Sequence, residues 1–194
     1  MQNESVRIVA FILLTVDGFF EGVDGAFDFW AIDDEFEHFS DSQLEMADRL
    51  LFGRVTFEGM ASYWPSAEAR TASPQTATLM NGLPKAVVST TLRTPAWSST
   101  EVLATLDELT SWNAAATGTT LLLGSPTLTG ALLNRGLVDE LRILVNPVAI
   151  GAGRSLADCL YGRLDLELEQ SREFDNGSVL TVYRPLPSQQ DARV

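Results

Sequence analysis

Cysteine and histidine are nearly missing from this sequence: Cys159 and His38 are the only examples in 194 residues. One cysteine excludes an internal disulfide framework and a cysteine-based zinc cluster, and it fits a reducing, cytoplasmic setting. One histidine leaves a Ser-His-Asp triad a single possible base. His38 lies on the polar side of an acidic helical stretch near Asp34 and Ser42, the place of a solvated surface side chain. Cys159 has no basic or imidazole neighbour in the sequence and reads as an inert or buried thiol. Basic residues are scarce too. Thirteen Lys and Arg stand against 26 Asp and Glu, and a net charge of −13 with no local basic run repels a phosphate backbone, so nucleic acid is not the expected partner. No apolar run approaches the ~20 residues that span a bilayer. The stretch 9–16 lacks a small-residue cleavage site after it and is expected to be a buried strand, not a signal peptide. A P-loop pattern is absent. The one G-x-G candidate, Gly151-Ala152-Gly153, is followed by Leu156 where a third glycine belongs, so a Rossmann loop is rejected. The many acids show no metal-ligand spacing, and no metal is expected.

What is present alternates between strand and helix signals. The apolar stretch 7–16 reads as a strand covered on both faces. A glycine-bearing loop follows, with Asp17-Gly18, Glu21-Gly22 and Asp24-Gly25. Ile32, Phe36, Phe39, Leu44 and Ala47 recur at near-helical spacing and predict a helix over 33–47 with an acidic first turn. Residues 49–53 read as a strand. Thr56 is expected to cap the next element, whose stripe is Phe57, Met60, Ala61 and Trp64, and Tyr63 is assigned to the core with Met60 and Trp64. Ser73-Pro74 opens a short helix that Gly82 ends. Further strands are expected at 85–89, 119–124 and 141–145, with helices at 106–112 and from Ser125-Pro126 to Gly136. Two final strands, 164–174 and 178–184, flank the hairpin signal Asp175-Asn176-Gly177. Residues 1–185 are expected to form one domain, followed by a flexible tail. The class is therefore α/β, with a mostly parallel sheet that ends in an antiparallel hairpin.

In such sheets ligands settle beyond the carboxyl ends of the parallel strands. Three ends here carry small or hydroxyl-bearing residues: Gly53-Arg54-Val55-Thr56, Ser89-Thr90-Thr91 and Gly124-Ser125-Pro126-Thr127. Gly124 permits close backbone approach, and a helix opening at Ser125-Pro126 would aim free amides at a phosphate; the plain alternative is an ordinary capped turn. Arg54 is the one fixed cation in these segments and suits bidentate phosphate binding, with an unpartnered surface arginine as the alternative.

With these residues in order, the chain resembles the dihydrofolate reductase family, in its branch related to the reductase domain of bifunctional riboflavin biosynthesis proteins. The matching stretches are Thr15 to Phe20, Leu50 to Glu58, Leu123-Gly124-Ser125, Gly136 to Glu140, Asn146-Pro147 and Gly151-Ala152-Gly153. The resemblance implies a three-layer α/β/α fold that binds NADPH, as a homodimer. It puts Gly53, Arg54 and Thr56 on cofactor phosphates, Ser89 and Thr90 near the adenosine 2′-phosphate, and Gly124, Ser125 and Thr127 against the pyrophosphate. It puts Asp17 and Gly18 on the nicotinamide side. Two departures stand out. Family members commonly carry paired glycines where this chain has Gly124-Ser125. They also carry basic residues around the helix that here opens Asp33-Asp34-Glu35, an acidic mouth that disfavours a phosphorylated substrate.

The expected function is NADPH-dependent reduction of a small heterocyclic or carbonyl substrate, uncharged or cationic. Asp17 and Asp34 are the catalytic candidates, and Trp30 with Asp33 are candidates for the substrate pocket. Reduction of 5-amino-6-(5-phosphoribosylamino)uracil and a non-catalytic nucleotide-binding or scaffold dimer are the alternatives.

Overall fold

The computed structural model describes residues 6–30 and 32–187. In chain order its elements are β1 (Arg7–Thr15), β2 (Phe19–Glu21), α1 (Asp34–Glu45), β3 (Arg49–Gly53), α2 (Arg54–Tyr63), α3 (Ala67–Ala72), α4 (Pro74–Gly82), β4 (Lys85–Val88), β5 (Thr100–Leu103), α5 (Leu106–Ala114), β6 (Thr119–Leu123), α6 (Pro126–Leu133), β7 (Glu140–Asn146), β8 (Arg154–Ser155), a 3-10 turn (Ala157–Cys159), β9 (Leu166–Glu173) and β10 (Val179–Pro185). The chain divides into two compact units, residues 1–8 with 36–125 and residues 9–35 with 126–194.

In the first unit β5, β4, β3 and β6 lie side by side and all pair in parallel. Strands covered on both faces carry continuous apolar runs. Leu50, Leu51 and Phe52 accordingly have no exposed surface, and each contributes about 1.5–3 kcal/mol by leaving water. Phe52, Phe57 and Trp97 stack against this run with ring centroids 5.9–6.1 Å apart. Lys85 is buried at the start of β4. Its ammonium donates to the carbonyls of Leu83 (2.6 Å) and Asn81 (3.3 Å), at the C-terminal end of α4, and lies 4.7 Å from the Trp97 ring centre. Loss of water around this amine pulls its pKa down from 10.5 to about 8. Thr105 caps α5 by accepting from the Glu108 amide, while the Glu108 carboxylate accepts from the Ala104 amide.

In the second unit β1 pairs in parallel with β7, β10 runs antiparallel to β7, and β9 runs antiparallel to β10. The expected C-terminal hairpin is present. Its loop is the three residues 175–177, closed by bonds from the Phe174 amide to Ser178 O and from the Gly177 amide to Phe174 O, with Gly177 at φ +82°. Nearly the whole of β9 is exposed, and its register with β10 shifts between Val182 and Tyr183. The short β2 pairs with β8. The α/β class and the mostly parallel sheet with antiparallel strands are as the sequence predicts. Among the described residues no helix is long and apolar enough to cross a membrane.

Several local expectations are corrected. Thr56 does not cap its helix, because α2 begins two residues earlier and Gly53 holds the N-cap position without a side-chain bond. Ser73 precedes α4 as expected, but its hydroxyl donates to Glu37 instead of accepting a helix amide. Ile32 is 66% exposed and lies outside the buried stripe of α1, and Tyr63 is likewise exposed, so neither joins the core. Pro185, the last residue of the expected domain, is also the last residue of β10, and the Leu186 amide donates to Asp165 O. Residues 188–194 of that expected tail lie outside the described residues.

Candidate functional site

Parallel pairing brings the carboxyl ends of β3, β4 and β6 to one edge of the first unit's sheet. Gly53 stands opposite Val88, and Leu51 opposite Leu122. The expected residues Gly53, Arg54, Thr56, Ser89, Thr90, Gly124 and Ser125 follow from these ends. Gly53 is extended (φ −81°, ψ 159°), and α2 starts beyond it with no side-chain cap. A helix start of this kind leaves first-turn amides and the positive end of the dipole open to an anion. Arg54, in that turn, forms a half-exposed pair with Glu58 at 2.7 Å. Gly124 and Ser125 are both left-handed, φ +55° and +51°. A side chain at Gly124 would touch the Thr56 methyl at 3.4 Å, so the two loops pack closely. Ser125 is buried. Its Oγ accepts from the Gly53 amide (2.8 Å) and donates to Leu123 O (3.1 Å), and its amide donates to Thr56 Oγ1 (3.2 Å). The expected cap of α6 by Ser125 is therefore not made with this hydroxyl. Ser89 is also turned inward. Its Oγ accepts from the amides of Thr91 (3.2 Å) and Leu92 (2.9 Å), whereas Thr90 is exposed.

In the second unit the ends of β1 and β7 share an edge, Thr15 standing opposite Asn146. Asp17 fastens the loops that follow. Its carboxylate accepts from the Thr15 hydroxyl (2.6 Å), the Gly151 amide (2.8 Å) and the Ile150 amide (3.1 Å). The Thr15 bond, followed by the amide bonds, holds the Asp17 pKa below its ordinary value of 3.8. Gly18 and Gly151 take the positive φ angles that this junction requires, +87° and +75°. The Gly151-Ala152-Gly153 segment therefore serves to dock one loop on another. At Gly153 an added Cβ would run into the Glu21 carbonyl oxygen where β2 meets β8. Arg154 pairs with Glu21 at 2.6 Å and donates to Thr127 Oγ1 at 3.2 Å. It is thus a second cation beside an expected phosphate residue, and its distance in sequence from Thr127 leaves no local signal of that contact.

The remaining candidates belong to the same unit. Asp34 is exposed at the first residue of α1, Asp33 just before it is half-buried, and the half-buried Trp30 stacks on Phe29 at 4.4 Å between centroids. Neighbouring Glu35 accepts from Arg172 and the Asp175 amide, which holds its pKa below the ordinary value, the Asp175 bond contributing most. A hollow of about 540 Å³ opens between the loop after β2 and residues 150–152. Val23, Phe29 and Ile150 are among its walls, and among the described residues Asp24 and Asp28 are its charged lining groups.

The family model of the RibD C-terminal domain matches residues 6–180. The chain belongs to that family. As a RibD C-terminal domain family member it is also 31% identical over 180 residues to protein YyaP of Bacillus subtilis (strain 168), covering 91% of this chain and 94% of that one. The family resemblance seen in the motifs extends to the solved folds. Dihydrofolate reductase from Enterococcus faecalis complexed with NADP(H) superposes with a TM-score of 0.65 at 13% identity, over 94% of this chain and 98% of that chain. The diaminohydroxyphosphoribosylaminopyrimidine deaminase/5-amino-6-(5-phosphoribosylamino)uracil reductase of Thermotoga maritima superposes with a TM-score of 0.66 at 11% identity, over 93% of this chain and 56% of that larger chain. This family member therefore has a dihydrofolate reductase-like fold and is related to the RibD reductase domain.

Proposed function

We propose that the protein is an NADPH-dependent reductase of a small heterocyclic or carbonyl substrate, with residues 1–185 acting as one reductase domain. The observation that carries the proposal is the bare start of α2, with Arg54 and Thr56 in its first turn and the left-handed Gly124 packed beside Thr56. Free amides, a guanidinium, a hydroxyl and a close glycine are the donor set that phosphate oxygens require. The residues present thus fit a dinucleotide. NADPH, when bound, supplies the hydride.

The chain's own side chains then divide the remaining work. In the first unit Arg54, Thr56 and Gly124 meet the phosphates while Gly53 and Ser125, bonded to each other, hold the two loops together, and Thr90 provides the outward hydroxyl at the adenosine end, next to the inward Ser89. Asp17 and Gly18 shape the nicotinamide side. Asp17, anchored by the Thr15 hydroxyl and the Ile150 and Gly151 amides, and Asp34, exposed at the first residue of α1, are the two carboxyls assigned to the reaction. Trp30 and Asp33 line the substrate side. Because the charged groups at the 540 Å³ hollow are acids, the favoured substrate is uncharged or cationic. In this function the protein is a cytoplasmic homodimer, for which sedimentation of the purified chain gives the direct check.

Titration with NADPH is expected to quench tryptophan fluorescence saturably, and Arg54→Ala to weaken NADPH more than NADH. No saturable binding, or equal losses for both cofactors, overturns the proposal. The family match to the RibD C-terminal domain favours one more specific reaction, reduction of 5-amino-6-(5-phosphoribosylamino)uracil, and the acidic opening of α1 opposes it. Turnover of that substrate faster than of its dephosphorylated counterpart would establish it. Saturable binding without turnover across a carbonyl and pterin panel would instead establish a non-catalytic nucleotide-binding dimer.

A further inference from the structure

We propose that Arg154 is a positioning residue whose guanidinium ties Glu21 of β2 to Thr127 of α6 and sets the Thr127 hydroxyl for a phosphate on the nicotinamide side of the cofactor. The assignment rests on the dinucleotide function proposed above and concerns the second unit alone.

Arg154 stands opposite Glu21 in the pairing of β2 with β8. A two-stranded ribbon this short is marginal without side-chain support, and three contacts of the guanidinium supply it. Its Nη1 donates to Glu21 Oε1 at 2.6 Å, and its Nη2 donates to Thr127 Oγ1 at 3.2 Å. Its central carbon lies 5.1 Å from the centre of the Phe20 ring, which is buried in a cluster with Ile12, Leu14 and Leu156. A planar fork held at two nitrogens and over one face has little freedom left.

Charge decides what the fork does. Asp158 stands near it as well as Glu21: two bonds from Ser155, followed by the Arg154 charge, hold the Asp158 pKa below its ordinary value of 3.8. One positive charge among two negative ones has no net attraction for a phosphate, so the guanidinium orients a neighbour. That neighbour is Thr127, which the family resemblance puts against the pyrophosphate. The loop Asp17-Gly18, put on the nicotinamide side, runs directly into β2. A hydroxyl has one proton beside its lone pairs. With the Arg154 N–H on its oxygen, Thr127 keeps that proton for another partner, and among the described residues the Arg154 contact is the one hydrogen bond of this hydroxyl. Thr127 and Arg154 border a cavity of about 420 Å³ that Phe20 and Tyr161 also line, so a ligand has room beside the hydroxyl. A donor fixed before the ligand arrives avoids part of the ordering entropy of binding.

Calorimetric titration of the full chain tests the assignment with NADPH and with adenosine 2′,5′-bisphosphate, which lacks the nicotinamide-side phosphate. Arg154→Met keeps an apolar stem over Phe20 and removes both donors. It is expected to weaken NADPH roughly fivefold, the equivalent of one net hydrogen bond, and to change the bisphosphate less than about twofold. On a Thr127→Val background Arg154→Met is expected to change NADPH affinity less than about twofold, and on a Thr127→Ser background, which restores the hydroxyl, the loss is expected to return. A merely structural arginine would cost the same on all three backgrounds. Relaxation of the Thr127 methyl group in the ligand-free protein gives a second reading, ordered in the wild type and mobile in Arg154→Met. Wild-type NADPH affinity in Arg154→Met, an undiminished loss on the Thr127→Val background, an equal loss for the bisphosphate, or equal methyl order in both proteins overturns the proposal. If the wild type binds no dinucleotide at all while the methyl loses order as described, the failure is that of the cofactor function, and the phosphate role of Thr127 falls with it.

Discussion

Each unit fastens a loop at its strand ends with a side-chain oxygen, but the two oxygens differ in kind. In the first unit the neutral Ser125 hydroxyl takes the Gly53 amide at 2.8 Å, buried, with the positive φ placed on the serine itself. In the second the Asp17 carboxylate takes the Ile150 and Gly151 amides at 3.1 and 2.8 Å, at the surface, with the positive φ angles assigned to Gly18 and Gly151. A hydroxyl fastening holds its strength at any pH and carries backbone strain. A charged one is nearly free of strain and depends on staying ionised. The two loops should therefore respond to different insults.

The largest expected effect is alkaline and belongs to the first unit alone. Lys85 has a folded pKa of about 8 against 10.5 when free, so between these values the unfolded chain binds more protons and stability rises with pH. Relative to Lys85→Met, the wild type should gain about 3 kcal/mol across that window. Urea unfolding at stepped pH measures the difference, and a flat difference would show that the amine is better solvated than its burial implies. Next in size is Gly153→Ala, which pushes a methyl group into the Glu21 carbonyl and should cost about 2 kcal/mol by overpacking. Exchange should quicken at β2 and β8 while the Gly53 amide stays protected. Loss of protection in both units together would break the contrast between them.

Gly124→Ala is smaller, about 1 kcal/mol, because a Cβ must adopt φ +55° and touch the Thr56 methyl at 3.4 Å; thermal unfolding measures it. The smallest effect is local and acidic. Asp17 has a folded pKa below 3.8, so its contribution is present above that value and is lost as pH falls through the lowered folded value. Amide exchange at Ile150 and Gly151, corrected for intrinsic rates, should then accelerate while Gly53 does not. Asp17→Asn should remove the pH dependence, and persistence of that dependence in the variant would assign it to another carboxylate.

Strands are legible wherever burial writes them into composition, as in the apolar runs of residues 49–53 and 119–123. The cap-plus-proline openings also located α4 and α6, since proline tolerates few other positions. Elements without such a signature were not legible. The three-residue β2 and two-residue β8 exist because Gly153 lets two backbones meet, α3 has only alanine on its buried side, and β5 is a four-residue edge strand in which only Leu103 is buried. At the candidate site residue types were readable and their directions were not. Whether a serine after a glycine caps the next helix or reaches back across 72 residues to Gly53 is decided by a backbone angle, and no local pattern encodes it.

Among the described residues β9 pairs with β10 alone and ends its row of strands, the arrangement that lets one folded chain template another into a growing fibre. Glu167, Glu169, Arg172 and Glu173 stud that strand, and the register shift against β10 kinks it. Charge and curvature together are how sheets refuse a newcomer strand. Glu167 and Glu169, the two acids that hold Arg184, thereby also guard this edge against an added strand.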